Sequence, residues 1–286
     1  MKIFLTLFLL FLLLLSLSFS VDESAMQLQD EALKRSFAAF GLAKALNAVI
    51  SLLQGTELSF APVGIGLTFS IGEVLDPFND MIERFSWVML FATVSLSIQK
   101  LLLILSAKAF LQVAFGASVA ITLLLLWMKK FQNAQLLSYS LKLLLLLLLL
   151  RFSAVVFVYS SESLYASLLQ KEYESASKVV ESTRKKLEDL ENKNRIVISS
   201  QKDMSFFDGV GSKYDKILEN LNISKQLSAM EESIEEASLN MVKLITIFVV
   251  QSMLMPLLYL WLMIASMKFI LKFEFNREKI KLLYNA

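Results

Sequence analysis

The chain has 286 residues and contains no cysteine and no histidine. Those two absences exclude thiol nucleophiles, disulfides, zinc-type Cys/His sites and every His-based triad or proton relay. A chain without cysteine also suits an oxidising compartment. Proline and glycine are scarce, at three and eight residues, so little interrupts helices and long ones should dominate. Excess charge of one sign is missing too: 28 basic against 26 acidic residues leave a formal net charge of +2. No basic patch points to nucleic acid. Phosphate loops, dinucleotide fingerprints, metal-binding helix motifs and nucleophile elbows are likewise missing. Gly64-Ile65-Gly66 and Gly209-Val210-Gly211 lack the further glycines and the basic residue that a phosphate loop needs, and read as strand and turn glycines. The expectation is a protein that is not an enzyme, with no cofactor and no metal.

Hydrophobic residues make up 56% of the chain, against roughly 45–50% in soluble domains. The surplus sits in a few runs, which marks an integral membrane protein. Residues 1–20 carry Lys2, an apolar run from Ile3 to Leu15, and the small-x-small triplet Ser18-Phe19-Ser20. That is the pattern of a cleaved signal peptide or of an uncleaved signal anchor. Residues 21–84 form an N-terminal extracytoplasmic segment. Its first part is an amphipathic helix with Ala25, Leu28, Ala32, Ala39, Leu42, Leu46, Val49 and Leu53 on one face, ended by Gly55. Alternation of Val63, Ile65, Leu67, Phe69 and Ile71 with small or polar residues then predicts a short β-hairpin near residues 56–71.

Asp76-Pro77 reads as a helix start, with Asp76 capping and Pro77 in the first turn. Residues 85–159 hold membrane helices: Ser86–Ala107, Ala109–Met128 and Leu136–Tyr159. Gly116, Ala117, Ser118 and Ala120 offer a small-residue packing face. Residues 160–241 carry two heptad arms. The first has Leu169, Tyr173, Ala176, Val180, Thr183, Leu187, Leu190, Asn194 and Val197 at alternating steps of four and three. The second has Ile223, Leu227, Met230, Ile234, Ala237, Met241, Leu244 and Phe248. Between them lies Ser205-Phe206-Phe207-Asp208-Gly209-Val210-Gly211-Ser212, a turn by composition. Residues 242–267 form a last span, in which Pro256 should kink the helix or leave a carbonyl for a neighbour to satisfy. Residues 268–286 are a basic cytoplasmic tail. The fold class expected is mainly α: a polytopic membrane protein with an extramembrane antiparallel coiled-coil hairpin.

Lys129-Lys130 and the basic tail belong in the cytoplasm. The hairpin then lies in the periplasm, and an odd number of crossings separates residue 84 from Lys129. Two apolar runs occupy that interval. The Ser86–Ala107 run is therefore expected to be interfacial, re-entrant or continuous with the next helix. The composition points to a bacterial inner (plasma) membrane protein with several crossings.

Two functional readings follow. The first is an envelope scaffold, oligomeric within the lipid bilayer, whose tip residues Phe206 and Phe207 contact a periplasmic protein partner. The second is an ion channel or small-solute transporter. Its mouth would hold Glu73, Asp76, Asp80 and Glu83, and its lining the polar stripe Ser86, Thr93, Ser97 and Lys100. The plainer explanations are that acids favour a helix N-terminus and that Lys100 snorkels to the interface.

Overall fold

The computed structural model describes residues 2–54, 71–128, 133–202 and 223–274. They form eight α-helices: α1 (Lys2–Leu17), α2 (Phe19–Gln54), α3 (Ile71–Ser106), α4 (Ala109–Trp127), α5 (Ala134–Leu164), α6 (Gln170–Lys202), α7 (Ile223–Val249) and α8 (Met255–Lys272). Single π-helical turns, Tyr165–Leu169 and Val250–Leu254, join α5 to α6 and α7 to α8. No strand occurs among the described residues. Five helical stretches are long and apolar enough to cross a membrane, namely Ser20–Gln54, Leu75–Ser106, Ala109–Trp127, Ala134–Asn192 and Glu231–Lys272. The chain is a helical, multi-pass membrane protein.

Local chemistry sets several boundaries. Asn133 caps α5, its side-chain oxygen accepting from the amides of Gln135 at 2.9 Å and Leu136 at 3.3 Å. The start expected at Asp76-Pro77 is corrected: α3 already runs from Ile71, and Pro77 lies inside it. One lost backbone bond is offset by the burial of Leu75, Phe78 and Ile82 around it. The expected β-hairpin lies outside the described residues except at Ile71, which is helical. The Ser86–Ala107 run is part of helix α3. It ends at Ser106, and Lys108 sits between α3 and α4 in an extended conformation (φ −62°, ψ 142°).

The chain divides into two compact units. The first comprises Met1–Lys34, Thr93–Ser167 and Val250–Ala286. Its packing follows α5 in tiers. Leu137 packs with Leu126 and Leu5, and Leu144 packs with Phe115, Val119 and Leu9. Ala154, Val155, Phe157 and Val158 pack with Leu103, Ala25, Met255 and Tyr259. As the α5 number rises, the α4–α3 number falls from 126 to 103 while the α1–α2 number rises from 5 to 25. Helix α4 and the end of α3 thus form one descent alongside α5, and α1 with the start of α2 forms one ascent.

The second unit comprises Arg35–Ala92 and Leu168–Val249. Four helices supply one apolar core: Ala39, Ala43, Leu46, Ile50 and Leu53 from α2; Leu75, Phe78, Ile82, Phe85 and Met89 from α3; Ala176, Val180 and Leu187 from α6; and Ala237, Met241, Leu244 and Phe248 from α7. The residues on α2 and α3 repeat at steps of three and four, which keeps one stripe of each helix facing a partner. Helices α6 and α7 pair in opposite senses: Tyr173 stacks edge-on against Phe248 at 5.9 Å, while Thr183 donates to the Ser233 carbonyl at 3.4 Å. The side chains of Asn194, Val197, Ile223, Leu227 and Met230 lie outside the described residues.

Candidate functional site

The apolar stretch Leu143–Leu150 of α5 is followed by Arg151, which is 1% exposed. A guanidinium removed from water is costly unless its donors are met by an opposite charge and by acceptors. The junction of α1 and α2 supplies both. Nη1 and Nη2 donate to the two carboxylate oxygens of Asp22 at 2.9 and 2.6 Å. Nη2 also donates to the Ser16 carbonyl at 2.9 Å, and Nε to Ser16 Oγ at 3.3 Å. The Phe152 ring lies 5.2 Å from the guanidinium carbon. The fork-to-fork geometry fixes orientation as well as charge, which a lysine would not do.

Further along the first unit is a layer of interhelical polar contacts. Gln29 Nε2 donates to the Leu96 carbonyl at 2.8 Å, and Lys100 pairs with Asp30. Ser95 Oγ donates to the Ser252 carbonyl at 2.5 Å, and Gln99 Nε2 donates to Ser95 Oγ at 3.3 Å. Pro256, four residues after Ser252, has no amide hydrogen to offer that carbonyl, so a neighbouring helix provides a donor as expected. Gln251 is buried in the same π-turn, and its Oε1 has no hydrogen-bond partner among the described residues.

The sequence-based candidates are spread over both units. Asp76, Asp80 and Glu83 are exposed on one side of α3, and Asp76 accepts from Gln54 Nε2 at 2.8 Å. Glu73 lies in the first turn of α3. Ser86 and Thr93 are buried, and Ser97 Oγ donates to the Thr93 carbonyl at 2.8 Å. Phe206 and Phe207 lie outside the described residues. A shallow apolar groove of about 340 Å³ between α4 and α5, lined by Ser118, Tyr139 and Ser140 among others, includes none of the candidates. Among the described residues no three acids gather as metal ligands would.

On α6 the second unit carries a partly exposed charge cluster. Arg184 donates to Glu181 at 2.8 and 3.0 Å and to Glu188 at 2.7 Å. Those bonds hold the Glu181 carboxyl below its ordinary range, chiefly through the Arg184 hydrogen bond.

Sequence reading missed the Arg151 contacts because Arg151 lies inside the span Leu136–Tyr159 with no partner nearby in the chain, and Ser16 lies in the leader-like segment. The usable signal was an arginine with apolar residues on both sides, Leu143–Leu150 before it and Ala154–Val158 after it. Comparison with known proteins finds no matching family model, no similar curated protein and no similar solved structure.

Proposed function

We propose that this protein is a non-enzymatic scaffold of a bacterial inner membrane, probing the periplasm with its second unit. The observation that carries the reading is the single core built from α2, α3, α6 and α7. Thr183, a buried polar group there, serves a bond between helices, and Glu181, Arg184 and Glu188 of α6 form a partly exposed charge cluster. Such a module offers stiffness and surface. The α6–α7 pair would be the stem of an antiparallel coiled-coil hairpin, with Phe206 and Phe207 at its tip contacting a periplasmic partner.

Orientation is supported by the charges of the first unit. Lys2 stacks over Trp127 at 4.7 Å, Lys142 donates to the Leu271 carbonyl at 3.1 Å, and Lys268 and Lys272 close α8. By the positive-inside rule this basic end belongs in the cytoplasm. The end of α3 and α4 run the same way alongside α5, which supports one crossing between residue 84 and Lys129.

The test is in-cell crosslinking from the second unit, with and without Ser205–Ser212. Loss of one defined crosslinked partner, with membrane insertion intact, supports the scaffold; an unchanged crosslinking pattern rejects the tip as its contact. The channel reading is the second choice, because Lys100 pairs with Asp30 and Asp76 with Gln54. Ion flux in vesicles that falls on Lys100→Ala would restore it.

A further inference from the structure

The segment that resembles a leader is bound into the first unit along its whole length. Leu9 is 2% exposed, in a core with Phe115, Val119 and Leu144. Thr6 Oγ1 accepts from Trp127 Nε1 at 3.0 Å. Gly116 faces Leu13, whose Cδ1 would be in ordinary contact, at 3.5 Å, with a Cβ at that position. At the far end of α1, Ser16 gives two acceptors to Arg151, and Asp22 on α2 gives two more.

The triplet Ser18-Phe19-Ser20, where a signal peptidase would cut, lies between those two residues. Both sides of the would-be cut are therefore held by one guanidinium. Cleavage after Ser20 would remove the Ser16 acceptors from a buried cation. It would also place a new ammonium at Val21, next to the carboxylate that Arg151 uses. In addition, α2 begins at Phe19, so the bond after Ser20 lies in helical backbone, whereas a protease needs its substrate extended.

We propose that α1 stays in the mature protein as a permanent membrane helix, and that Arg151 is the residue that holds it there. The inference rests on the reading of the chain as a membrane protein. Intact mass and N-terminal sequencing of the detergent-extracted full chain test it first. Recovery of a membrane-bound chain that still carries Lys2–Ser20 is expected. A membrane-bound chain starting at Val21 overturns the inference and leaves the membrane reading standing. A full chain in the soluble fraction overturns both.

The role of Arg151 is tested separately by limited proteolysis of membrane vesicles. Arg151→Met should raise the rate of cutting between Leu17 and Val21 by about tenfold or more, since the lost hydrogen bonds to Ser16 no longer pin that turn. Arg151→Lys, which keeps the charge but not the fork, should fall between Arg151→Met and the unmodified protein. Equal rates for all three remove Arg151 from the proposal.

Discussion

The hydroxyl of Ser95 on α3 donates at 2.5 Å to the carbonyl of Ser252, four residues before Pro256. A helix that meets proline inside a membrane gives up one internal bond, and here the α3 hydroxyl offers a replacement. Ser95→Ala is expected to lower stability by about 1 kcal/mol, the scale of interhelical hydrogen bonds in membranes. In a Pro256→Ala background the same substitution should cost less, because residue 256 then carries its own amide. Thermal unfolding of the four proteins in detergent measures the coupling, and additive effects would separate Ser95 from the proline.

Arg151 and Asp22 form a closed pair, so losing one side should hurt more than losing both. Arg151→Met or Asp22→Leu alone leaves one buried charge unmatched and is expected to destabilise by about 3–5 kcal/mol. The double replacement should recover much of that loss, since apolar side chains of similar volume often substitute for a buried pair. A double variant as weak as the sum of the singles would show that the two residues act independently.

The alanines on the buried stripe of α2 set how closely its neighbours approach. Ala43 is fully buried, so Ala43→Leu should destabilise the second unit by about 1–3 kcal/mol despite its greater hydrophobicity. Leu46→Ala, at the next buried position, should cost about 2–5 kcal/mol. Chemical denaturation followed by circular dichroism distinguishes these from substitutions at exposed Lys44, which should be nearly silent.

The Glu181–Arg184 pair predicts a small acid-dependent effect. The carboxyl is lowered in the folded protein, so its contribution is present above the unfolded value near 4.5 and disappears as pH falls through the lowered folded value. Arg184→Gln should therefore weaken the protein at neutral pH, by less than about 1 kcal/mol at this partly exposed site. The difference from the unmodified protein should vanish in acid. A difference that persists unchanged into acid would assign the effect to packing of the arginine stem instead.

How far the sequence could be read depended on how local the cause was. Apolar runs long enough to span a membrane and the demand of Pro256 for a donor both follow from residues close together in the chain. The buried positions Ala176, Val180, Thr183 and Leu187 of α6 also match the four–three pattern. What escaped was set by distant partners. Helix α2 keeps Gln29, Ser36, Ala43 and Ile50 on its buried stripe beside the expected Ala25, Ala32, Ala39, Leu46, Val49 and Leu53, and the small and polar members hid its full extent. Helix α3 does the same with Leu75, Phe78, Ile82, Phe85, Met89, Ala92 and Leu96, where a general apolar background hid it. Two arms could be seen, while the four-helix core could not. Asp76-Pro77 misled because a good local start signal says nothing about helix already present upstream. Arg151 and Asp22 are 129 residues apart, and neither predicts the other.

Lys2 stacks on Trp127 at the close of α4, and Lys142 on α5 touches the Leu271 carbonyl near the close of α8. One practical result concerns reporters. On the proposed orientation, complementary halves of a split fluorescent protein, one fused ahead of Lys2 and the other at the end of the chain, would share a compartment. They should therefore be able to reconstitute within a single molecule.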